Sequence, residues 1–134
     1  MDAISETQAK LAKYPELAVD AEATSIAVHA PTAEGFMVSL RKTDETFEVA
    51  FEGWHEDFDT EEEALNCFVF GLSAACRLKV MSRGGFDYKW TVESLRGDRW
   101  IEDSVTGLFF FPFWRRAEVR YLRNRVIPAR QSAE

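Results

Sequence analysis

A chain of 134 residues has the length of one domain. Its 46% hydrophobic content, with 11 Phe, 4 Trp and 3 Tyr, is enough to fill a core and excludes global disorder. The formal net charge of −7 argues against a general nucleic-acid binder.

That charge is unevenly spread. Residues 1–63 carry 16 acids and 4 bases, whereas residues 64–134 carry 7 acids and 12 bases. Arg115, Arg116, Arg120, Arg123, Arg125 and Arg130 crowd the last 20 residues. The halves either neutralise each other across one fold or form separated patches that steer a partner. The first residues lack the basic start and apolar run of a secretory signal. The longest near-apolar stretches, 64–76 and 108–114, fall short of the roughly 20 residues a membrane span needs. A cytoplasmic protein without membrane attachment is therefore expected.

Along the chain, alanine-rich residues 3–14 predict a short helix stopped by Pro15, with Ile4, Leu11 and Tyr14 as a modest apolar stripe. Residues 24–30 read as a strand closed by Pro31. Residues 35–43 alternate Phe36, Val38 and Leu40 against Met37, Ser39 and Arg41. Residues 46–54 repeat the pattern with Phe47, Val49 and Phe51 against Glu48, Ala50 and Glu52. The short link between them suits a hairpin, and the three strands predict an antiparallel meander with one solvated, acidic face.

A long central helix follows in this reading. Thr60 and Glu63 match a capping box, and Glu61, Glu62 and Glu63 complement the positive end of the helix dipole. Leu65, Phe68, Val69, Leu72, Cys76 and Val80 keep helical spacing, Arg77, Lys79 and Arg83 suit the other dipole end, and Gly84-Gly85 stops the helix. Gly71 inside it costs about 1 kcal/mol, which implies a close contact. On such a helix Cys67 and Cys76 face opposite ways, roughly 13 Å apart along the axis. A disulfide needs Cα atoms within about 7 Å, so both read as reduced core residues.

Beyond the helix, residues 88–95 alternate Tyr88, Trp90 and Val92 against Lys89, Thr91 and Glu93, and 96–99 turn the chain into a strand at 100–105. Leu108, Phe109, Phe110, Phe111, Pro112, Phe113 and Trp114 then form the most conspicuous segment. Burying its four phenylalanines and one tryptophan would contribute roughly 8–15 kcal/mol, comparable with a whole domain's net stability. A central strand buried on both faces is therefore expected, with Pro112 at a bulge or strand end. Only the edge at Phe113, Trp114, Arg115 and Arg116 is then left for binding, where Trp and Arg are enriched. Residues 115–127 fit a strand or a helix, the strand being preferred, and 128–134 read as a flexible tail. One α+β domain over 1–134 results: an antiparallel sheet of five to six strands on one long central helix, in the order α-β-β-β-α-β-β-(β/α).

Catalytic chemistry finds few carriers. His29 sits in a strand before Pro31 and reads as structural. Trp54, His55, Glu56 and Asp57 put a titratable ring among aromatic and acidic neighbours in a predicted loop entering the helix, where carboxylates would raise the imidazole pKa. With Trp90 and Trp100 they could wall a small-ligand or catalytic pocket. Asp57, Asp59 and Glu61 alternate as in a calcium loop, but position six is Glu62 and position twelve Phe68, so the match fails. His55, Cys67 and Cys76 lack zinc spacing. Gly71-Leu72-Ser73-Ala74-Ala75 echoes a nucleophile elbow without a downstream histidine. No phosphate-cradling or dinucleotide glycine motif occurs, and no cofactor or metal is implied.

In element order, size and acidity the chain resembles secretion-chaperone-like domains, and equally loosely small bacterial immunity proteins. The former resemblance implies a dimer that binds a partner chain; neither carries a site residue over. The expected function is a non-enzymatic protein-interaction module that self-associates or binds a protein partner. It would use the aromatic–arginine end or the acidic meander face; stacking on single-stranded nucleic acid is a minor reading.

Overall fold

The computed structural model describes residues 3–127. Among these residues the fold is α+β: helices α1 (Ala3–Leu11) and α2 (Glu61–Leu72) accompany nine strands in two antiparallel sheets. The first sheet holds β1 (Val19–Ala21), β2 (Ser25–Val28), β3 (Val38–Lys42), β4 (Phe47–Phe51) and β5 (Trp54–Phe58) in chain order. The second holds β6 (Cys76–Arg83), β7 (Phe86–Arg96), β8 (Arg99–Gly107) and β9 (Ala117–Leu122), in the spatial order β8-β7-β6-β9.

Strand alternation builds the core. Ile26 pairs with Leu40 and Leu40 with Val49, while Val28 pairs with Val38 and Val38 with Phe51. These residues are buried on one face, as period-two patterning requires. Ala64, Phe68 and Leu72 of α2 complete that core with Ile4 and Leu11 of α1. Cys76, Leu78, Val80 and Val92 extend it into the second sheet.

The predicted capping box is present in altered form. Thr60 Oγ1 accepts from the Glu63 amide at 3.2 Å, and its hydroxyl donates to Glu63 Oε1 at 2.8 Å. The long central helix is not. It ends at Leu72, capped by Ser73, and the next eight-residue element is strand β6. Leu72, Cys76 and Val80 are four apart, a spacing that satisfies helical and strand periods alike. What decides is the strict alternation of buried Cys76, Leu78, Val80 and Ser82 with half-buried Arg77, Lys79, Met81 and Arg83. Arg77, Lys79 and Arg83 therefore line a sheet face instead of a helix end. Gly84 and Gly85, at φ +58° and +82°, turn the β6–β7 hairpin.

Three further expectations change. The sheet of five to six strands becomes two sheets of five and four, because β1 and β5 are additional and β6 replaces the second half of the helix. The predicted loop at 54–59 is strand β5 up to Phe58. Residues 108–114 form an exposed connection from β8 to β9, not a buried strand. The strand preference for 115–127 holds for β9 alone; the tail expected at 128–134 lies outside the described residues.

Since Cys76 is on a strand, the argument from opposite helix faces no longer applies, although both thiols are free. Burial, with the Glu56 charge adding, pushes the Cys67 thiol up to about 12. Burial raises Cys76 further, with smaller contributions from Cys67 and Asp103. Both thiols therefore stay protonated at neutral pH. Native protein at pH 8 is expected to react with a thiol-exchange reagent roughly a hundredfold or more slower than unfolded protein; equal rates would contradict this burial.

The residues after β9 bind the halves together. Asn124 Oδ1 accepts from the Phe36 amide at 2.8 Å, and its Nδ2 donates to the Gly71 carbonyl at 2.9 Å. The Val126 and Ile127 amides both donate to the Leu72 carbonyl. Arg123 donates its guanidinium to the Ala74 carbonyl and its backbone amide to Glu34.

Candidate functional site

The β8–β9 connection is anchored at its ends and open between them. The Leu108 amide donates to the Tyr88 carbonyl at 2.9 Å, which prolongs the β7–β8 ladder by one bond. Phe111 then stacks on Tyr88, with centroids 4.2 Å apart and planes 15° apart. A tight turn follows, in which the Arg115 amide donates to the Pro112 carbonyl. Arg83 Nη1 donates to the carbonyls of Phe113 and Arg115, at 3.2 and 2.9 Å. The Arg115 side chain lies against Gly84.

With the backbone held in this way, the remaining rings point outward. Phe109 is 99% exposed, Phe110 89%, Phe113 70% and Trp114 72%. Phe113 and Trp114 meet edge to face at 5.3 Å and 86°. Together with Phe86 these residues line an apolar concavity of about 680 Å³. Phe109 and Phe110, which sequence reasoning placed in the core, are the most exposed of all. The overlooked signal was Pro112 together with the lack of period-two alternation across the four consecutive large apolar residues Leu108 to Phe111.

Of the predicted binding edge, Phe113, Trp114, Arg115 and Arg116 all lie on this exposed turn. The alternative set is dispersed. Trp54 is buried, stacks on Phe51 and donates Nε1 to Ser104 Oγ at 3.1 Å. His55, Glu56 and Asp57 are exposed on β5. The His55 amide donates to Thr106, and Glu56 accepts from Ser104, so this segment joins the two sheets. Trp90 packs over Gly53. Trp100 lies elsewhere, with the guanidinium of Arg77 4.5 Å from its ring centre and that of Arg123 4.9 Å away. His29 pairs with Asp20 at 2.6 Å on the surface.

A second surface was not anticipated. Arg77 lies 4.1 Å from the Tyr121 ring as well as near Trp100, and its Nε donates to the buried carboxylate of Glu93 at 2.5 Å. Burial, then the charges of Arg125 and Arg77, lowers the Arg123 pKa. Arg77, Trp100, Tyr121, Arg123 and Arg125 line a cavity of about 480 Å³ at the end of β9. Arg77, Trp100 and Tyr121 are far apart in sequence and meet only because β6, β7, β8 and β9 pair as they do. Between this cavity and the aromatic turn runs β9, exposed along almost its whole length, with Val119 and Tyr121 each about half exposed.

Comparison with protein-family models, curated proteins and solved structures gives no match.

Proposed function

We propose that this chain is a non-catalytic protein-interaction module that docks a polypeptide on the β8–β9 turn and the adjoining β9 edge. One observation carries the reading: four large aromatic side chains are held outward on a backbone fixed by Arg83 and by the Tyr88–Phe111 stack. Covering Phe109, Phe110, Phe113 and Trp114 would contribute roughly 6–12 kcal/mol at 1.5–3 kcal/mol each, and anchored aromatics lose little conformational entropy on binding. An exposed apolar cluster of this kind marks an interaction surface. The charge asymmetry supports the reading, since arginines flank the turn and acids dominate the first sheet.

The test is a quadruple variant with serine at Phe109, Phe110, Phe113 and Trp114. Because these side chains lie outside the core, its folding stability should stay within about 0.5 kcal/mol of wild type per substitution. Binding of a hydrophobic dye and co-purification of associated polypeptide should both drop sharply. A variant that retains every association of the wild type would refute the proposal.

A further inference from the structure

We infer that the polypeptide received by this surface is a second copy of the chain, joined β9 to β9 antiparallel about a two-fold axis at Val119. The inference rests on the interaction reading above and commits it to one partner.

The four sheet edges differ in how they are protected. β1 is three residues long, and β5 is closed against the second sheet by the Trp54–Ser104 and His55–Thr106 bonds. β8 carries Glu102 and Asp103 and lies opposite a register shift at Val92/Glu93. β9 is six residues long, pairs with β6 without a register shift, and holds no proline or lysine. Among the described residues it has no neighbour on its other side. Such an unguarded edge is a template for another strand.

Overlap and charge together select the register: of the centres that set no like charges opposite each other, Val119 pairs most of β9, whereas Ala117, Tyr121 and Leu122 leave most of it unpaired. Leu122 shares a face with its cross-strand partner Leu78, so Glu118 and Arg120 lie on that core-side face while Ala117, Val119 and Tyr121 lie on the other. A two-fold axis normal to the sheet keeps each face, so it must run between the strands midway between the two copies of a single residue. Centring on Glu118 or Arg120 sets each against itself, like charge on like. Centring on Val119 sets Glu118 against Arg120 of the second copy twice, Val119 against Val119, and Ala117 against Tyr121. The same register brings the start of each β9, with Phe113 and Trp114 just before it, to the other copy's Tyr121–Arg123 end. There the cavity of Arg77, Trp100 and Arg123 offers guanidinium groups to aromatic faces.

Sedimentation of the wild-type chain at micromolar concentration should give twice the chain mass. Glu118→Arg alone and Arg120→Glu alone set like charges opposite each other and should each weaken the dimer by roughly tenfold or more. An equimolar mixture of the two should restore it, because each mixed pair is again opposite in charge. Arg120 also binds Asp87, so a second arm avoids that residue. In a Cys67→Ser background, Val119→Cys should form an intermolecular disulfide with oxidised glutathione. Ala117→Cys and Tyr121→Cys should form one only when mixed. A monomeric wild type, or a dimer in which Val119→Cys crosslinks no faster than Ala117→Cys, overturns the inference. If a monomer still loses a different bound polypeptide through the serine variant, the interaction reading survives alone; if nothing depends on the turn, both fall.

Discussion

Asn124→Ala is expected to destabilise the fold by about 2–5 kcal/mol. The side chain is buried and spans two otherwise unpaired backbone groups, the Phe36 amide and the Gly71 carbonyl. Each buried group left without a partner costs about 1–3 kcal/mol. The loss reaches beyond the pair, because Asn124 lies in the segment whose amides hold the end of α2 to the second sheet. Urea denaturation should show a lower midpoint with an unchanged slope. Asn124→Leu, similar in size but unable to hydrogen-bond, should be nearly as damaging. Recovery of most of the stability by leucine would show that volume, not hydrogen bonding, matters at this position.

Gly71→Ala should destabilise by about 1–3 kcal/mol, the usual range for overpacking a core, although alanine is the better helix former by about 1 kcal/mol. An added Cβ would lie 2.6 Å from Phe51 Cζ. Phe51 cannot swing away freely, since it is fully buried between Phe36, at 5.4 Å, and Trp54, at 4.7 Å. Phe51→Leu opens that space, so the double variant Gly71→Ala/Phe51→Leu should be more stable than the two single losses add up to, by at least about 1 kcal/mol. Strict additivity in chemical denaturation would show that the two positions do not touch.

Both positions show where sequence reading was sound and where it stopped. The sequence implied that Gly71 sits against something, because glycine inside an apolar helix is costly; which ring fills the space depends on the pairing of β3, β4 and β5. Asn124 carried no sequence signal, since its partners are 88 and 53 residues away. Of the candidate site, Phe113 to Arg116 were singled out as the edge left for binding, but that Phe113 and Trp114 are exposed came from the structure alone. Phe109 and Phe110 were missed because the energy available from burying a ring says nothing about whether the fold leaves room for it.

What the sequence determined by itself was local. The first turn of α2 is written in Thr60 and Glu63, and the inward faces of β3 and β4 are written in their alternation, because capping bonds and side-chain periodicity act over a few residues. The α+β class follows from the same signals. Tertiary structure decided everything that turns on an ambiguous period or a distant neighbour. Residues 72, 76 and 80 satisfy helix and strand equally, so the loss of the second half of the long helix to β6 was settled by sheet pairing. The aromatic segment was settled likewise: β8 ends at Gly107 and β9 begins at Ala117 on the far side of β6. The chain between them passes the β6–β7 hairpin, where Phe111 finds Tyr88 and Arg115 finds Gly84, while Phe109, Phe110, Phe113 and Trp114 stay exposed.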